Sequence, residues 1–134
     1  MPTAGYLGTP LARKLSLKDG LKVWFEAMPD SVRAEIADVV LVEYPNPTAG
    51  LDAAHIFTTE MAIMEARLAS LRTLIAPNGF VWVSWPKKAS KVTTDITEDT
   101  IRAIALPMDW VDVKVCAVDS IWSGLKLVIR RTLR

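Results

Sequence analysis

The sequence predicts one three-layer α/β domain around a sheet of about six strands, five of them parallel and the last antiparallel. Apolar runs alternate with helical patterns along most of the chain, which is typical of parallel strands joined by crossover helices. Two segments near the C-terminal end, Val111–Cys116 and Leu125–Arg130, alternate apolar and polar residues and are joined by a short connection. This pattern predicts an antiparallel hairpin at the edge of the sheet.

Length and composition limit the class of protein. The chain has 134 residues, which suits a single domain spanning 1–134, and its first 20 residues form a helical lead-in. A hydrophobic content of 51% excludes intrinsic disorder, and a net charge of +1 disfavours a dedicated nucleic-acid binder. No apolar run is long enough to span a membrane. The single cysteine, Cys116, and a start without signal-peptide features predict a soluble cytoplasmic protein.

The first half of the chain supplies two strands and two short helices. Thr9 and Pro10 suit the start of a helix, and the aromatic and β-branched residues of Leu21–Glu26 predict the first strand. A short helix over Pro29–Ile36 follows. Val39–Val42 is continuously apolar, which predicts a second strand buried on both faces.

The second half is patterned more strongly. Leu51–Phe57 predicts a third strand, and apolar residues from Met61 to Ile75 recur at the spacing of one helix face. Pro77-Asn78-Gly79 is expected to end that helix before a central strand, Phe80–Trp85, that is apolar on both faces. Thr97 is placed to cap a further helix, which Pro107 closes.

Several of these segments resemble the Rossmann-like fold of S-adenosylmethionine-dependent methyltransferases. The resemblance rests on Leu51-Asp52-Ala53-Ala54-His55, on Ile75-Ala76-Pro77-Asn78-Gly79-Phe80 and on the terminal strand pair, and it covers residues 50–134. It implies that ligands bind outside the carboxyl ends of the parallel strands, as they do in open α/β sheets.

A second resemblance spans nearly the whole chain and is carried by short motifs. It is to a family of small bacterial proteins known as a domain of unknown function, and it names no activity. The motifs are Gly5-Tyr6-Leu7-Gly8-Thr9-Pro10-Leu11, Trp82-Val83-Ser84-Trp85-Pro86-Lys87-Lys88, Val113-Lys114-Val115-Cys116-Ala117-Val118-Asp119 and Trp122-Ser123-Gly124-Leu125.

The turn after the first strand departs from the methyltransferase pattern. Glycines at this turn let the backbone approach the cofactor, yet Glu26-Ala27-Met28-Pro29-Asp30 has none, and Pro29 lacks an amide donor. We therefore expect no cofactor, with S-adenosylmethionine as the disfavoured alternative. The resemblance does place Glu43 where an acidic residue would bind the ribose hydroxyls. A solvated carboxylate at a strand end is the other interpretation.

The loop after the central strand is the best candidate for ligand binding. Trp85, Lys87, Lys88, Ser90 and Lys91 place an indole, a hydroxyl and three ammonium groups at the carboxyl edge of the sheet. Such a set suits a phosphate, a carboxylate or another anion. The alternative is a solvated loop whose lysines serve solubility.

Other reactive residues carry structural interpretations. His55 is the only histidine, so no histidine pair is available for a metal, and a packed core side chain is favoured over a catalytic base. Cys116 is expected to be an inert packing thiol. No catalytic residue is assigned. Trp122, in the hairpin connection, is expected to cover the core or the sheet edge, with a protein interface as the alternative.

Three functions remain open at this point. The first is a degenerate relative of the methyltransferase fold that catalyses no methyl transfer. It binds an anionic ligand or partner through the loop that contains Lys87, Lys88 and Lys91, which we call the lysine loop. The second is a methyltransferase with an atypical cofactor turn. The third is a scaffold that forms homo-oligomers through the edge of the terminal hairpin. Fold similarity alone does not choose among them.

Overall fold

The computed structural model describes residues 9–134, so the first part of the Gly5–Leu11 motif lies outside the described residues. Strands and helices alternate along most of the described chain, two strands follow each other directly in its first half, and a hairpin ends the sheet. In the described range the helices are α1 (Leu11–Lys14), α2 (Asp30–Glu35), α3 (Met61–Leu74) and α4 (Glu98–Ala105), with 3₁₀ turns at Lys88–Ser90, Leu106–Met108 and Arg131–Leu133. The strands are β1 (Lys22–Glu26), β2 (Val42–Tyr44), β3 (Leu51–Phe57), β4 (Ile75–Pro86), β5 (Trp110–Ala117) and β6 (Trp122–Ile129).

The six strands described form one sheet in the order β2-β1-β3-β4-β6-β5. The pairs β1–β2, β1–β3 and β3–β4 are parallel, and β6 is antiparallel to both β4 and β5. Five strands therefore share one direction and only β6 is reversed. The predicted fold class is confirmed, including the central position of β4 and the hairpin that places β5 at an edge.

Helices cover both faces of the sheet because strand residues alternate between them. Trp24, Ile56 and Val83 face the layer formed by α3 and α4, where Leu68 is fully buried. Residues such as Val23, Phe25, Phe57 and Trp82 pack on the opposite side against α1 and α2, together with Leu15 and Val32. The two apolar layers fix the strand register, since a slip of one residue would exchange the faces.

The second strand differs from its prediction. Strand β2 begins only at Val42, and it lies at the edge of the sheet rather than between two neighbours. Val40 is 73% exposed and Val42 is 47% exposed, so the expectation of burial on both faces is wrong. A short apolar run has the same pattern at an edge and at the centre, because periodicity reports neither the number of strand neighbours nor the cover on each face.

The junction between α3 and β4 also differs. The helix ends at Leu74 and β4 begins at once at Ile75, so Pro77-Asn78-Gly79 lies within the strand instead of forming a separate turn. Pairing with β3 jumps from Leu51↔Ile75 to Ala53↔Phe80, which leaves the intervening residues as a bulge. Gly79 is needed there for space. A Cβ on it would lie 2.7 Å from the carbonyl oxygen of Asp52 and 2.7 Å from Cγ2 of Ile75.

We expect Gly79→Ala to lower the free energy of unfolding by about 1–3 kcal/mol, because the added methyl group can be accommodated only by moving the backbone of β3 or β4. Urea denaturation measures the change. Asn78→Ala is the matched control, since Asn78 is the exposed neighbour in the same bulge. Equal stability of the Gly79→Ala variant and the wild type would contradict the packing described for the bulge.

The start of α4 agrees with its prediction. Thr97 Oγ1 accepts from the backbone N–H of Thr100 at 3.2 Å, and the backbone N–H of Thr97 donates to Thr100 Oγ1 at 2.8 Å. This reciprocal cap fixes the position of the helix start. Pro107 lies in the 3₁₀ turn that follows α4. Between residues 9 and 134, no helix combines the length and the apolar character needed to cross a bilayer.

Candidate functional site

Among the residues that the structure describes, two cavities open at the carboxyl edge of the parallel strands. One lies beyond β4 and has a volume of about 580 Å³. The other lies beyond β1 and β2 and has a volume of about 450 Å³. Both fall within the size range of small-molecule sites, roughly 300–1,000 Å³. We call the first the lysine-loop cavity; it is bounded by Trp85 and Pro86, by the loop from Lys87 to Thr94 and by Thr97 and Glu98.

The lysine loop is anchored to the hairpin connection, the segment between β5 and β6. Nζ of Lys87 donates to the carbonyl of Asp119 at 2.8 Å, and the backbone N–H of Lys87 donates to the carbonyl of Ile121 at 2.8 Å. Ser90 Oγ donates to the carbonyl of Lys87 at 2.7 Å and accepts from the N–H of Val92 at 3.2 Å. The hydroxyl of Ser90 thus shapes the loop, a role that its residue type alone did not indicate.

The remaining lysines of the loop carry the positive charge of the cavity. Lys88 and Lys91 line it, and neither ammonium group forms a hydrogen bond or an ion pair with any residue between 9 and 134. Lys91 adopts the left-handed conformation, with φ of 62°, at the end of the 3₁₀ turn. The carboxylate of Glu98 also lines the cavity, and Nη2 of Arg102 holds it at 2.5 Å. That ion pair reduces the negative potential which Glu98 would otherwise give the cavity.

The floor and one wall of this cavity are apolar. Trp85 is 7% exposed and Ile96 is 2% exposed, so both belong to the core beneath the cavity. Val92 is 44% exposed and lines the wall. Sequence reasoning located the lysines and Trp85 but missed Val92 and the α4 end of the cavity, because the sequence does not show which side chains of the loop and of the helix start face the cavity.

Loop contacts across the edge keep the cavity open. Thr94 Oγ1 donates to the carbonyl of Thr59 at 2.7 Å, and Oδ1 of Asp95 accepts from the N–H of Met61 at 2.7 Å. These bonds join the lysine loop to the segment that leads from β3 into α3. The structure therefore brings the lysine loop against Thr58–Glu60, the segment that follows β3 at the same edge of the sheet.

The cavity beyond β1 and β2 is the place where the fold would seat a nucleotide cofactor. Ala27 lines it in the left-handed conformation, with φ of 55°, a region that favours glycine. Across the cavity, Nε of Arg67 donates to Oε1 of Glu26 at 2.6 Å. The Cβ of Ala27 and the missing N–H of Pro29 leave a turn that is bulkier and poorer in donors than a glycine turn. Both features disfavour an adenosyl cofactor at this turn, and its exclusion stays a prediction.

Glu43 lies within β2 and is engaged by α2. Its two carboxylate oxygens accept from Nη1 and Nη2 of Arg33 at 2.8 Å and 2.7 Å. This bidentate hydrogen bonding lowers the pKa of Glu43 from its ordinary value. The pair lines a recess of about 210 Å³ on the α2 side, which is distinct from the cavity beyond β1 and β2. Ribose binding by Glu43 stays a prediction and would require it to leave Arg33.

A buried polar pair was not foreseen from the sequence. Nε2 of His55 lies 2.7 Å from Oγ of Ser84, and the two side chains are 2% and 0% exposed as residues. The imidazole stacks on Phe57, with ring centroids 4.2 Å apart. Burial lowers the pKa of His55 to about 3, so the ring is neutral at ordinary pH. The interpretation of His55 as a core side chain is confirmed, and no solvent reaches the pair.

Cys116 and Trp122 pack against other side chains and have structural roles. Cys116 is partly buried, and this burial raises the pKa of its thiol, as expected for a packing residue. The ring of Trp122 meets that of Phe57 edge-on at 5.2 Å and packs against the core layer of α1 and α2. Trp122 therefore covers the core, as expected, although it begins β6 instead of lying in the hairpin connection. Within residues 9–134, no three His, Cys, Asp or Glu side chains gather in an arrangement able to hold a metal ion.

The edge strand bears on the predicted homo-oligomer. In β5, Val113 is 51% exposed and Val115 is 42% exposed. The register of the pairing with β6 shifts between Asp112 and Lys114, which indicates a bulge. Lys114 also places a positive charge on this edge strand. Bulges and lysines are common devices that discourage edge pairing. Self-association through the hairpin stays a prediction.

Comparison with solved structures finds this fold among methyltransferases. A TehB-like SAM-dependent methyltransferase from Corynebacterium glutamicum has a TM-score of 0.55 and 9% identity, covering 90% of this chain and 88% of that one. Aeropyrum pernix fibrillarin with natively bound S-adenosyl-L-methionine has a TM-score of 0.55 and 10% identity, covering 92% and 70%. The DhpI–SAH complex has a TM-score of 0.60 and 11% identity, covering 95% and 85%.

These likenesses define the class of the fold. The chain has the Rossmann-like fold of S-adenosylmethionine-dependent methyltransferases, and at these identities the comparison speaks to the fold alone. Two of the three structures contain SAM or SAH, so this fold holds that cofactor in those proteins. No family model matches the chain, and no curated protein matches it. The resemblance to small bacterial proteins of unknown function thus stays a prediction.

Proposed function

We propose that this protein is a ligand-binding module on a methyltransferase-like fold, and that its ligand is an anion held in the lysine-loop cavity. The observation that carries the proposal is the pair of ammonium groups of Lys88 and Lys91, which line a cavity of about 580 Å³ without a partner among residues 9–134. An ammonium group is a strong point-charge donor for phosphate or carboxylate.

The surroundings support this assignment over a solvated loop. Hydrogen bonds from Lys87 to Asp119 and from Thr94 to Thr59 hold both ends of the loop. A loop whose lysines served solubility alone would need neither a fixed backbone nor an apolar floor. A preformed cavity lowers the entropic cost of ordering the loop on binding.

The proposal is tested by calorimetric titration with inorganic phosphate. We expect Lys88→Glu/Lys91→Glu to weaken binding at least about tenfold, because two favourable charge interactions become repulsive. Lys18→Glu/Lys22→Glu makes the same change in net charge at exposed positions away from the cavity and should bind phosphate like the wild type. Equal weakening in both variants would indicate a general charge effect and would refute the site.

A second candidate is an S-adenosylmethionine-dependent methyltransferase with an atypical cofactor turn. Two observations favour it: the shared fold, and the cavity of about 450 Å³ at the carboxyl ends of β1 and β2. Against it stand the bulky turn at Ala27 and the engagement of Glu43 by Arg33. In this candidate, Glu43 would separate from Arg33 and hold the ribose.

Thermal shift with S-adenosylmethionine distinguishes the candidates. A ligand at 100 times its dissociation constant stabilises a fold by roughly 2.7 kcal/mol, which is readily seen as a rise in Tm. The proposed binding module should show no rise with S-adenosylmethionine. A rise that Glu43→Gln abolishes would show that S-adenosylmethionine binds through Glu43 and would favour the methyltransferase candidate in its place.

A further inference from the structure

We infer that the lysine-loop cavity selects a small aromatic anion, with a single charged group attached to an apolar ring, over inorganic anions and polyanions. This inference rests on the proposed function and adds the class of ligand. Three features of the cavity carry it: the position of its charges, its apolar floor and wall, and its fixed boundaries.

The charges are confined to one side. Lys88 and Lys91 belong to the loop, at the 3₁₀ turn that follows β4. The start of α4, which also lines the cavity, carries the carboxylate of Glu98 in an ion pair with Arg102. An extended polyanion that reached this part of the lining would therefore meet no unpaired cation there. A ligand with one localised anionic group needs only Lys88 and Lys91.

The rest of the lining suits an apolar group. Trp85 and Ile96 close the floor and are already buried, at 7% and 2% exposed, so the apolar surface open to a ligand comes mainly from Val92, which is 44% exposed. Covering such surface is favourable by about 25 cal/mol per Å². An aromatic ring beside Val92 would also contact the small exposed part of the Trp85 indole, and aromatic pairs attract one another. An inorganic anion would leave this surface uncovered.

The boundaries are fixed from three directions. Lys87 is tied to the hairpin connection at Asp119, Thr94 to the end of β3 at Thr59, and Thr97 to the first turn of α4. A volume of about 580 Å³ between such boundaries admits a ring with a phosphate group. The cavity is therefore suited to discriminate ligands by shape as well as by charge.

The test compares three probes by calorimetry: inorganic phosphate, phenyl phosphate and tripolyphosphate. We expect phenyl phosphate to bind at least about tenfold more tightly than inorganic phosphate, and tripolyphosphate to bind no more tightly than inorganic phosphate. Val92→Ser should weaken phenyl phosphate about threefold or more while leaving inorganic phosphate unchanged, because it removes only apolar contact. Val42→Ser is the matched control, at an exposed valine of β2.

The outcomes separate the inference from the proposed function. If phenyl phosphate and inorganic phosphate bind equally and Lys88→Glu/Lys91→Glu weakens both, the anion site stands and its selectivity for an aromatic group is refuted. Tighter binding of tripolyphosphate would refute the selectivity in favour of a polyanion. If none of the three probes binds, the proposed function fails together with the inference.

Discussion

Acidification from about pH 7.5 to about pH 4.5 should lower the free energy of unfolding by roughly 2–3 kcal/mol through His55 alone. The imidazole is 2% exposed and stacked on Phe57, and no acidic side chain is among its aromatic or hydrogen-bonding contacts. Protonation would place a charge in an apolar core, which is why burial lowers its pKa from 6.5 to about 3.

The sign follows from proton binding. Between pH 6.5 and about 3 the unfolded chain binds a proton on His55 that the folded chain does not, so stability falls as the pH falls through this window. Above pH 6.5 the ring is neutral in both states and contributes no slope. Urea denaturation at a series of pH values measures the dependence.

His55→Gln isolates this contribution, because glutamine keeps hydrogen-bonding capacity toward Ser84 and does not titrate. The variant should be less stable than the wild type at neutral pH and should have a flatter pH profile below about 6.5. Ionisable groups elsewhere remain in both proteins and cancel in the comparison. Parallel pH profiles for the two proteins would show that His55 takes up its proton while folded.

Trp82→Ala should destabilise the fold by about 3–5 kcal/mol, the cost typical of removing a buried tryptophan. The side chain is 1% exposed in the central strand, and its indole Nε1 donates to the carbonyl of Leu15 at 3.0 Å. Its loss would open a cavity between β4 and α1 and leave the carbonyl of Leu15 without that donor. Chemical denaturation gives the change.

Trp82→Phe divides this effect into its parts. Phenylalanine keeps an aromatic ring on the α1 side of β4 but cannot donate to Leu15, so we expect a smaller loss of about 1–3 kcal/mol. Amide exchange near Leu15 should increase in both variants, because the indole hydrogen bond anchors that segment. If Trp82→Ala unfolds at the same urea concentration as the wild type, the central position of Trp82 in the core is wrong.

The strands could be predicted from the sequence where the hydrophobic pattern of a segment matches its number of neighbouring strands in the sheet. Phe80–Trp85 is apolar on both faces and lies between β3 and β6, and the alternating hairpin strands lie where their pattern placed them. The prediction that Val39–Val42 is a strand buried on both faces was wrong, because an apolar run does not report how many strands flank it. The prediction of a turn at Pro77-Asn78-Gly79 was wrong, because turn-forming residues also suit a bulge within a strand. Only tertiary contacts distinguish the two.

The candidate site could be predicted only in part. Lysines that follow a central strand are visible in the sequence, and the topology then places them at the carboxyl edge. The shape of the cavity was not visible, because it depends on the hydrogen bond of Thr94 to the distant Thr59 and on which side chains between Val92 and Glu98 the loop turns toward the lysines. For Glu43, the sequence indicated a possible ligand contact but not the side chain that pairs with it. Its position matched an expected ligand, yet its pairing with Arg33 depends on how α2 packs over β2.

The central claim is that the ligand-binding site at the carboxyl edge is the lysine-loop cavity. It is tested most directly by mapping amide chemical shifts while phenyl phosphate, and separately S-adenosylmethionine, is added to ¹⁵N-labelled protein. We expect phenyl phosphate to shift amides between Trp85 and Glu98, and S-adenosylmethionine to shift none. Shifts with S-adenosylmethionine at residues 26–30 and 43–47, with none from phenyl phosphate between Trp85 and Glu98, would contradict the claim.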